Sequence, residues 1–426
     1  NAHVIFIDKH IASPRCNSYN IQARRCGSGK ETAYKTIQAG IDAARAGFSV
    51  VIRGDTYEHG KDGERRFVSV TQSGTENQPI KIQNYHDELV VLAGRGFEDR
   101  DLNSDGDADG VSTQSKEILF TIPKGIQHIH VKGLTFRRSN SHGLVIEGDH
   151  NIVEFCIAHD NWMAGFEIRE HAQYNQLRYL EAFRNRHHSG IRLFTGSRNL
   201  IENNLSYKNG QEPNGNWVLP IRGDPAGGGN ADGFGVAKNC VDDARESDNL
   251  CVENVVRNNI VFNNADDGVD ISFAKSRLER NISYYNGPKG IRGFKVLRPT
   301  TDLLWIGNIA LANPGPGFEA RSNSAMKFYH NLALGNMTDG FVFVSQGDGD
   351  IRNNLAYKNG KRDAKSRNDL MNYKNNWFAD GSLGQKSGDP KLVNAEMAIN
   401  TNFSKEWSIV QKLTFIYEQF VAAYRL

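Results

Sequence analysis

The chain has 426 residues, 51 basic and 49 acidic side chains, and a formal net charge of +2. That balance excludes a whole-protein field for nucleic acid, so any preference for an acidic ligand must be local. With 38% hydrophobic residues and a mean hydropathy of -0.55, no segment is long and apolar enough to span a membrane.

At the N-terminus, Cys16 and Cys26 lie at a spacing that could close a small disulfide, as do Cys240 and Cys251. Ile37 and Ile41 fall at helical spacing within Tyr34 to Ala44, which predicts a capping helix over about 30–48. Ser49 to Tyr57 then reads as the first strand. The run Asp101, Asn103, Asp105, Asp107, Asp109 resembles the start of a calcium loop, but Ser112 replaces the expected acid, so a second calcium there competes with a plain acidic loop. Arg53-Gly-Asp55 and Arg222-Gly-Asp224 spell an adhesion tripeptide, read here as incidental, as is the pair His187-His188.

From Gly143 the chain repeats. A glycine followed by alternating apolar residues recurs at Gly165, Gly190, Gly233, Gly268, Gly293, Gly317 and Gly340, mostly at spacings of roughly 22 to 25 residues. Each period reads as one coil of a solenoid, with the first and third residues after the glycine pointing inward and the second outward. A second register keeps the same phase: Asn204, Asn259, Asn281, Asn308, Asn331 and Asn354, each with another asparagine at Asn209, Asn264, Asn286, Asn313, Asn336 and Asn359. Such columns predict asparagine ladders at the bends of a parallel stack, with Cys156 buried and free at the first position. The sequons at Asn204 and Asn281 would then face inward and be poor glycosylation acceptors. The expected architecture is an all-β parallel β-helix: one domain over 1–426, with coils over about 49–360 and an extension and cap over about 361–426.

The segments Ala231-Asp-Gly-Phe-Gly235 and Ala265-Asp-Asp-Gly-Val-Asp270 carry four carboxylates at fixed points of this repeat. Asp232 and Asp267 both precede their strand glycine, so they stack about 5 Å apart in adjacent coils, with Asp266 and Asp270 flanking them. Carboxylates that close repel unless a hard cation sits among them, and calcium accepts such oxygen-rich coordination. Lys295, in Gly293-Phe-Lys295, takes the outward position that Asp270 holds one coil earlier. The outward stripe also holds Glu167, Arg192, Gly235 and Glu319. Between Gln211 and Asn230 an insertion should form a loop over the cluster, with Trp217 either stacking on a ligand ring or anchoring the loop. Near the C-terminus, Ile409, Val410, Leu413, Ile416, Tyr417, Phe420 and Val421 form a helical apolar stripe expected to cap the last coil.

Taken in order on a solenoid with asparagine ladders, Asn-Ala-Asp-Gly-Phe-Gly, Asp-Asp-Gly-Val-Asp and Gly-Phe-Lys resemble polysaccharide lyase family nine, the pectate-lyase-type right-handed parallel β-helices. The resemblance covers about Ser49 to Gly360. It implies calcium-dependent β-elimination on a uronate-containing polysaccharide, with Asp232, Asp266, Asp267 and Asp270 as ligands and Lys295 as base; from its outward position Lys295 is expected to be exposed. Arg192, Trp217, Arg222, Lys238, Arg292, Arg298 and Arg321 are candidate substrate contacts. Polygalacturonate, the galacturonate and rhamnose backbone of pectin, and bacterial sheath glycans stay open as substrates. A solenoid glycoside hydrolase using clustered aspartates and a carbohydrate-binding solenoid without catalysis are the rival classes. The expected protein is a monomer, secreted, periplasmic or at the cell surface, with its signal peptide removed, and it binds an acidic polysaccharide, not nucleic acid.

Overall fold

A computed structural model describes residues 3–61, 68–96, 117–217, 230–236, 251–271, 275–287, 291–296, 302–321, 326–344, 348–367, 371–388, 390 and 407–424. Three short strands make each coil. One coil is Leu200–Glu202, Leu205–Tyr207 and Phe234–Val236, and the next is Val255–Arg257, Ile260–Phe262 and Val269–Ile271. Each strand pairs in parallel with its counterpart one coil away. The described residues build a back sheet of 16 strands, including antiparallel N-terminal strands at one end, a site sheet of 11 and a flank sheet of 12. The chain is a parallel β-solenoid, as its period predicts.

The core follows from the site-sheet pattern. Phe294, Phe318 and Phe341 enter the interior from successive coils, and their rings stack face to face with centroids 4.8 Å apart. That spacing is the separation of hydrogen-bonded strands, so identical residues at one position of the repeat stack without strain.

The bends are held by side-chain amides. Asn204, Asn259, Asn281, Asn308, Asn331, Asn354 and Asn376 form one ladder, each Nδ2 donating to the next Oδ1 over 2.9–3.0 Å. A second runs from Asn161 through Asn185, Asn209, Asn264, Asn286, Asn313 and Asn336 to Asn359. The residue before each rung sits in the left-handed region, as at Asn203 (φ 56°), Asn258 (φ 54°) and Arg280 (φ 51°). That conformation is costly away from glycine. The ladder stabilises it by accepting and donating along the column, which leaves no buried amide unpaired at the corner. The sequon residues Asn204 and Asn281 are each 1% exposed. A third ladder, Asn151, Asn175, Asn199 and Asn254 ending on Ser276, was not expected from the sequence.

Both ends differ from the sequence-based expectation. The helix α1 (Ile37–Ala43), capped by Thr36, is shorter than 30–48 because Glu31–Tyr34 is a strand beside Val4–Ile7. Val4–Ile7 pairs in turn with Ser49–Ile52, so the stack starts before Ser49. A Cys16–Cys26 disulfide closes this end. Arg53 is 6% exposed and bonds Glu88 and Tyr19, so the first Arg-Gly-Asp tripeptide is structural. Cys156 is buried and free. Cys251 is disulfide-bonded, while Cys240 lies outside the described residues. Coils continue beyond Gly360 to Trp377–Phe378.

The C-terminal helix α2 (Ile409–Tyr424) is present but does not cap the last coil. Its Leu413 and Ile416 pack against Leu205, Ile260, Ile282, Leu332 and Leu355 on the outer face of the flank sheet. A helix of 16 residues is about 24 Å long, the rise of about five strand spacings, so it covers the apolar stripe that the flank sheet leaves outside. Lys412 locks its start to Glu181, with Nζ 2.6 and 2.7 Å from the two carboxylate oxygens. Among the described residues no helix is long and apolar enough to cross a membrane.

Candidate active site

Strand register brings the expected cluster together. On the outer face of the site sheet Glu167, Arg192, Gly235, Asp270, Lys295 and Glu319 lie side by side in successive coils. One position before each strand glycine, Ser189, Asp232, Asp267 and Arg292 form a parallel column. Its carboxylates are fixed by the next coil's amides: Asp267 N donates to Asp232 Oδ1 (3.1 Å), and Arg292 N donates to Asp267 Oδ1 (2.7 Å). Ser189 Oγ donates to Asp232 Oδ2 over 3.2 Å. A Cβ at Gly235 would lie 1.9 Å from that hydroxyl and 2.9 Å from Asp232 Oδ2, so only glycine leaves room for this arrangement.

Asp232, Asp266 and Asp267 each place a carboxylate oxygen within 4.8 Å of the others. They are 3%, 8% and 0% exposed. Burial and repulsion from the carboxylates around it raise Asp232, with Asp266, Asp270 and Asp267 as the neighbouring charges. Burial and Asp267 take Asp266 to about 7. Asp270 is raised to about 6 by burial, against the pull of Lys295. Lys295 Nζ lies 2.8 Å from Asp267 Oδ2 and 2.7 Å from Asp270 Oδ2. The ammonium thus sits between the two carboxylates and is ion-paired to both. Three buried carboxylates with converging oxygens, two of them (Asp232 and Asp266) with raised pKa values, fit a hard divalent cation. The triad could hold a metal ion.

The family described as "Pel9A-like, right handed beta helix region" matches residues 18–354. The chain belongs to this Pel9A-like family of right-handed β-helices. It is 22% identical over 333 residues to pectate lyase PEL9 of Emericella nidulans, an alignment covering 77% of this chain and 63% of that relative. Two solved structures share the fold at 17% identity. Pectate lyase Pel9A has a TM-score of 0.50, with 95% of this chain and 88% of that one covered. A rhamnogalacturonan lyase has a TM-score of 0.55, with 95% and 93% covered.

In this Pel9A-like chain the remaining candidates divide. Lys295 was expected to be exposed but is 8% exposed, because Asp267 and Asp270 draw it into the cluster. Burial works against its charge, and Asp267, Asp270 and Asp232 outweigh that, so its pKa lies above the usual lysine range. Arg192 donates to Glu167 (3.0 Å) and rests over the Phe194 ring. Glu167 is itself held down to about 2: burial pushes it up, and His142, Arg192 and Arg169 prevail. Arg292 and Arg321 both donate through Nε to Glu319. Trp217 is 37% exposed and bridges to Gln211. Arg222, Lys238 and Arg298, and the acidic run Asp101, Asn103, Asp105, Asp107 and Asp109, lie outside the described residues. Sequence reading passed over Ser189, although it occupies the same pre-glycine position as Asp232 and Asp267. The column itself was the available signal.

Proposed function

We propose that this chain is a calcium-dependent lyase that cleaves a uronate-containing polysaccharide by β-elimination, with Asp232, Asp266, Asp267 and Asp270 as ligands and Lys295 as general base. The observation that carries the reading is the Lys295 amine, 2.8 Å from Asp267 and 2.7 Å from Asp270, on the rim of the acidic triad. A base and a cation site this close serve one substrate carboxylate and the acidic proton beside it.

Calcium, when bound, would supply Lewis-acid polarisation of that carboxylate and stabilise the carbanion-like charge. Lys295 Nζ takes the proton from the carbon next to the carboxylate. The electron pair becomes a carbon–carbon double bond, the neighbouring carbon–oxygen bond breaks, and solvent protonates the departing sugar oxygen. Lys295 can do this only when neutral. Its raised pKa is caused by the unscreened charge of Asp267, Asp270 and Asp232, and engaging those carboxylates with a cation removes that cause.

The names of the relatives suggest polygalacturonate and rhamnogalacturonan as first substrates. The Cys16–Cys26 disulfide favours an extracellular or periplasmic setting. The test is incubation with a panel of acidic polysaccharides, following ultraviolet absorbance of unsaturated ends with and without chelator. Absorbance that chelator abolishes supports the reading. New reducing ends without absorbance, unaffected by chelator, would instead favour a hydrolase.

A further inference from the structure

Resting on that reading, we propose that Arg292 and Arg321, joined by Glu319, form a carboxylate subsite for the sugar next to the one Lys295 deprotonates. The enzyme then takes runs of adjacent uronates in preference to a backbone in which uronates alternate with neutral sugars.

Glu319 pairs in register with Lys295, one coil further along the outer stripe. It is 5% exposed and accepts Nε of Arg292 on one oxygen and Nε of Arg321 on the other. Each guanidinium thus spends its Nε on the protein and keeps its terminal nitrogens off Glu319. Among the described residues the next ion-pair partner of Arg292 is Asp267, at 3.8 Å. The side chains of Arg292 and Arg321 are 23% and 49% exposed. Two guanidiniums against one carboxylate leave a net positive charge, held in place and open to solvent. Guanidinium terminal nitrogens suit a carboxylate through charge-assisted hydrogen bonds.

Spacing decides which sugar is read. Adjacent coils are about 4.8 Å apart, comparable to the length of one pyranose in an extended chain. The subsite therefore faces the immediate neighbour of the sugar at Lys295. In the opposite direction the rung beside Asp270 is Gly235, which has no side chain. The next, Arg192, is 15% exposed along its side chain and already bound to Glu167. Among the described residues only the Glu319 side offers a cationic group one rung from the reacting pair. A homopolymer places a carboxylate there, and a strictly alternating polymer places a neutral sugar.

The test uses the full chain with calcium. The exposed side chain of Arg321 makes Arg321→Ala a variant that should fold. The parent and this variant are compared by kcat/KM on polygalacturonate and on alternating rhamnogalacturonan, and by calorimetric Kd for tetragalacturonate. The parent should favour the homopolymer. Arg321→Ala should lose roughly tenfold on polygalacturonate and in tetragalacturonate affinity, the scale of one or two charge-assisted hydrogen bonds, with little change on the alternating polymer. Equal losses on both polymers, no loss on either, or a parent that prefers the alternating polymer would overturn the proposal. A parent that neither binds nor cleaves any uronate polymer would overturn the lyase reading itself, before any variant is compared.

Discussion

Lys295 and Asp270 stand in register on neighbouring coils, and the lysine Nζ donates to the Asp270 carboxylate over 2.7 Å. The same amine lies 2.8 Å from Asp267, which no solvent reaches. The proposed base is therefore also the positive charge that balances the acidic cluster, so chemistry and stability are coupled at this residue.

Lys295→Ala should abolish turnover and also destabilise the metal-free protein. Removing one partner of a buried ion pair costs about 3 kcal/mol, and calcium should restore most of that. Thermal melts with chelator and with calcium check this. A variant that melts like the parent in chelator would show that the lysine does not balance the cluster.

Asp267→Asn keeps an oxygen to accept from Arg292 N and removes one charge from the triad. Calcium at a hundredfold excess over Kd should stabilise the parent by about 2.7 kcal/mol. The same concentration should raise the Tm of Asp267→Asn far less. Equal shifts would move the metal site elsewhere.

The pH dependence of the cluster has a definite sign. Asp266 and Asp270 titrate near 7 and 6 in the folded, metal-free protein, against 3.8 ordinarily. Between those values the folded state holds protons that the unfolded state has released. In chelator, the contribution of these groups to stability is full below about pH 4 and lost as pH rises through 6 to 7. Calcium must displace the same protons, so its affinity should climb over that window and level off above it. Calorimetry at pH 6 in buffers of different ionisation enthalpy should register proton release; a pH-independent Kd would contradict the assignment.

Asn308 is 0% exposed, donates to Leu278 O and Asn331 Oδ1, and accepts from Asn281. Asn308→Ala breaks the ladder mid-column and leaves buried amides unpaired, at about 3 kcal/mol. Denaturant melts should show it, while Asn353→Ala, at an exposed bend position two coils further along the same column, should cost much less.

Lys412→Met should loosen α2 by leaving Glu181 buried beside Tyr207 without its cation. Faster hydrogen exchange across 409–424 should appear with little change in the site sheet. Unchanged protection would mean that apolar contacts alone dock the helix.

The solenoid was legible because its period is written twice, in glycines and in asparagines, and identical residues at one phase must stack. The acidic cluster was legible for the same reason: Asp232 and Asp267 share a phase, and so do Asp270 and Lys295. The burial of Lys295 was not, since it depends on which neighbour a long side chain reaches. Nor was the seat of α2. An apolar stripe shows that a helix face is covered, but not whether an end or a flank covers it; the apolar contacts with the flank sheet and the Lys412–Glu181 pair show which. The third ladder was harder to read because its asparagines stop at Asn254 and the next coil carries Ser276 there, so the later coils do not repeat the signal.

The most direct test is the fate of water. Polygalacturonate digested with calcium in 18O-labelled water should give fragments that carry an ultraviolet-absorbing unsaturated end and no incorporated label, because elimination breaks the carbon–oxygen bond without adding water. Lys295→Ala should give neither fragment nor absorbance. Labelled, saturated ends from the parent enzyme would mean hydrolysis and would contradict the account.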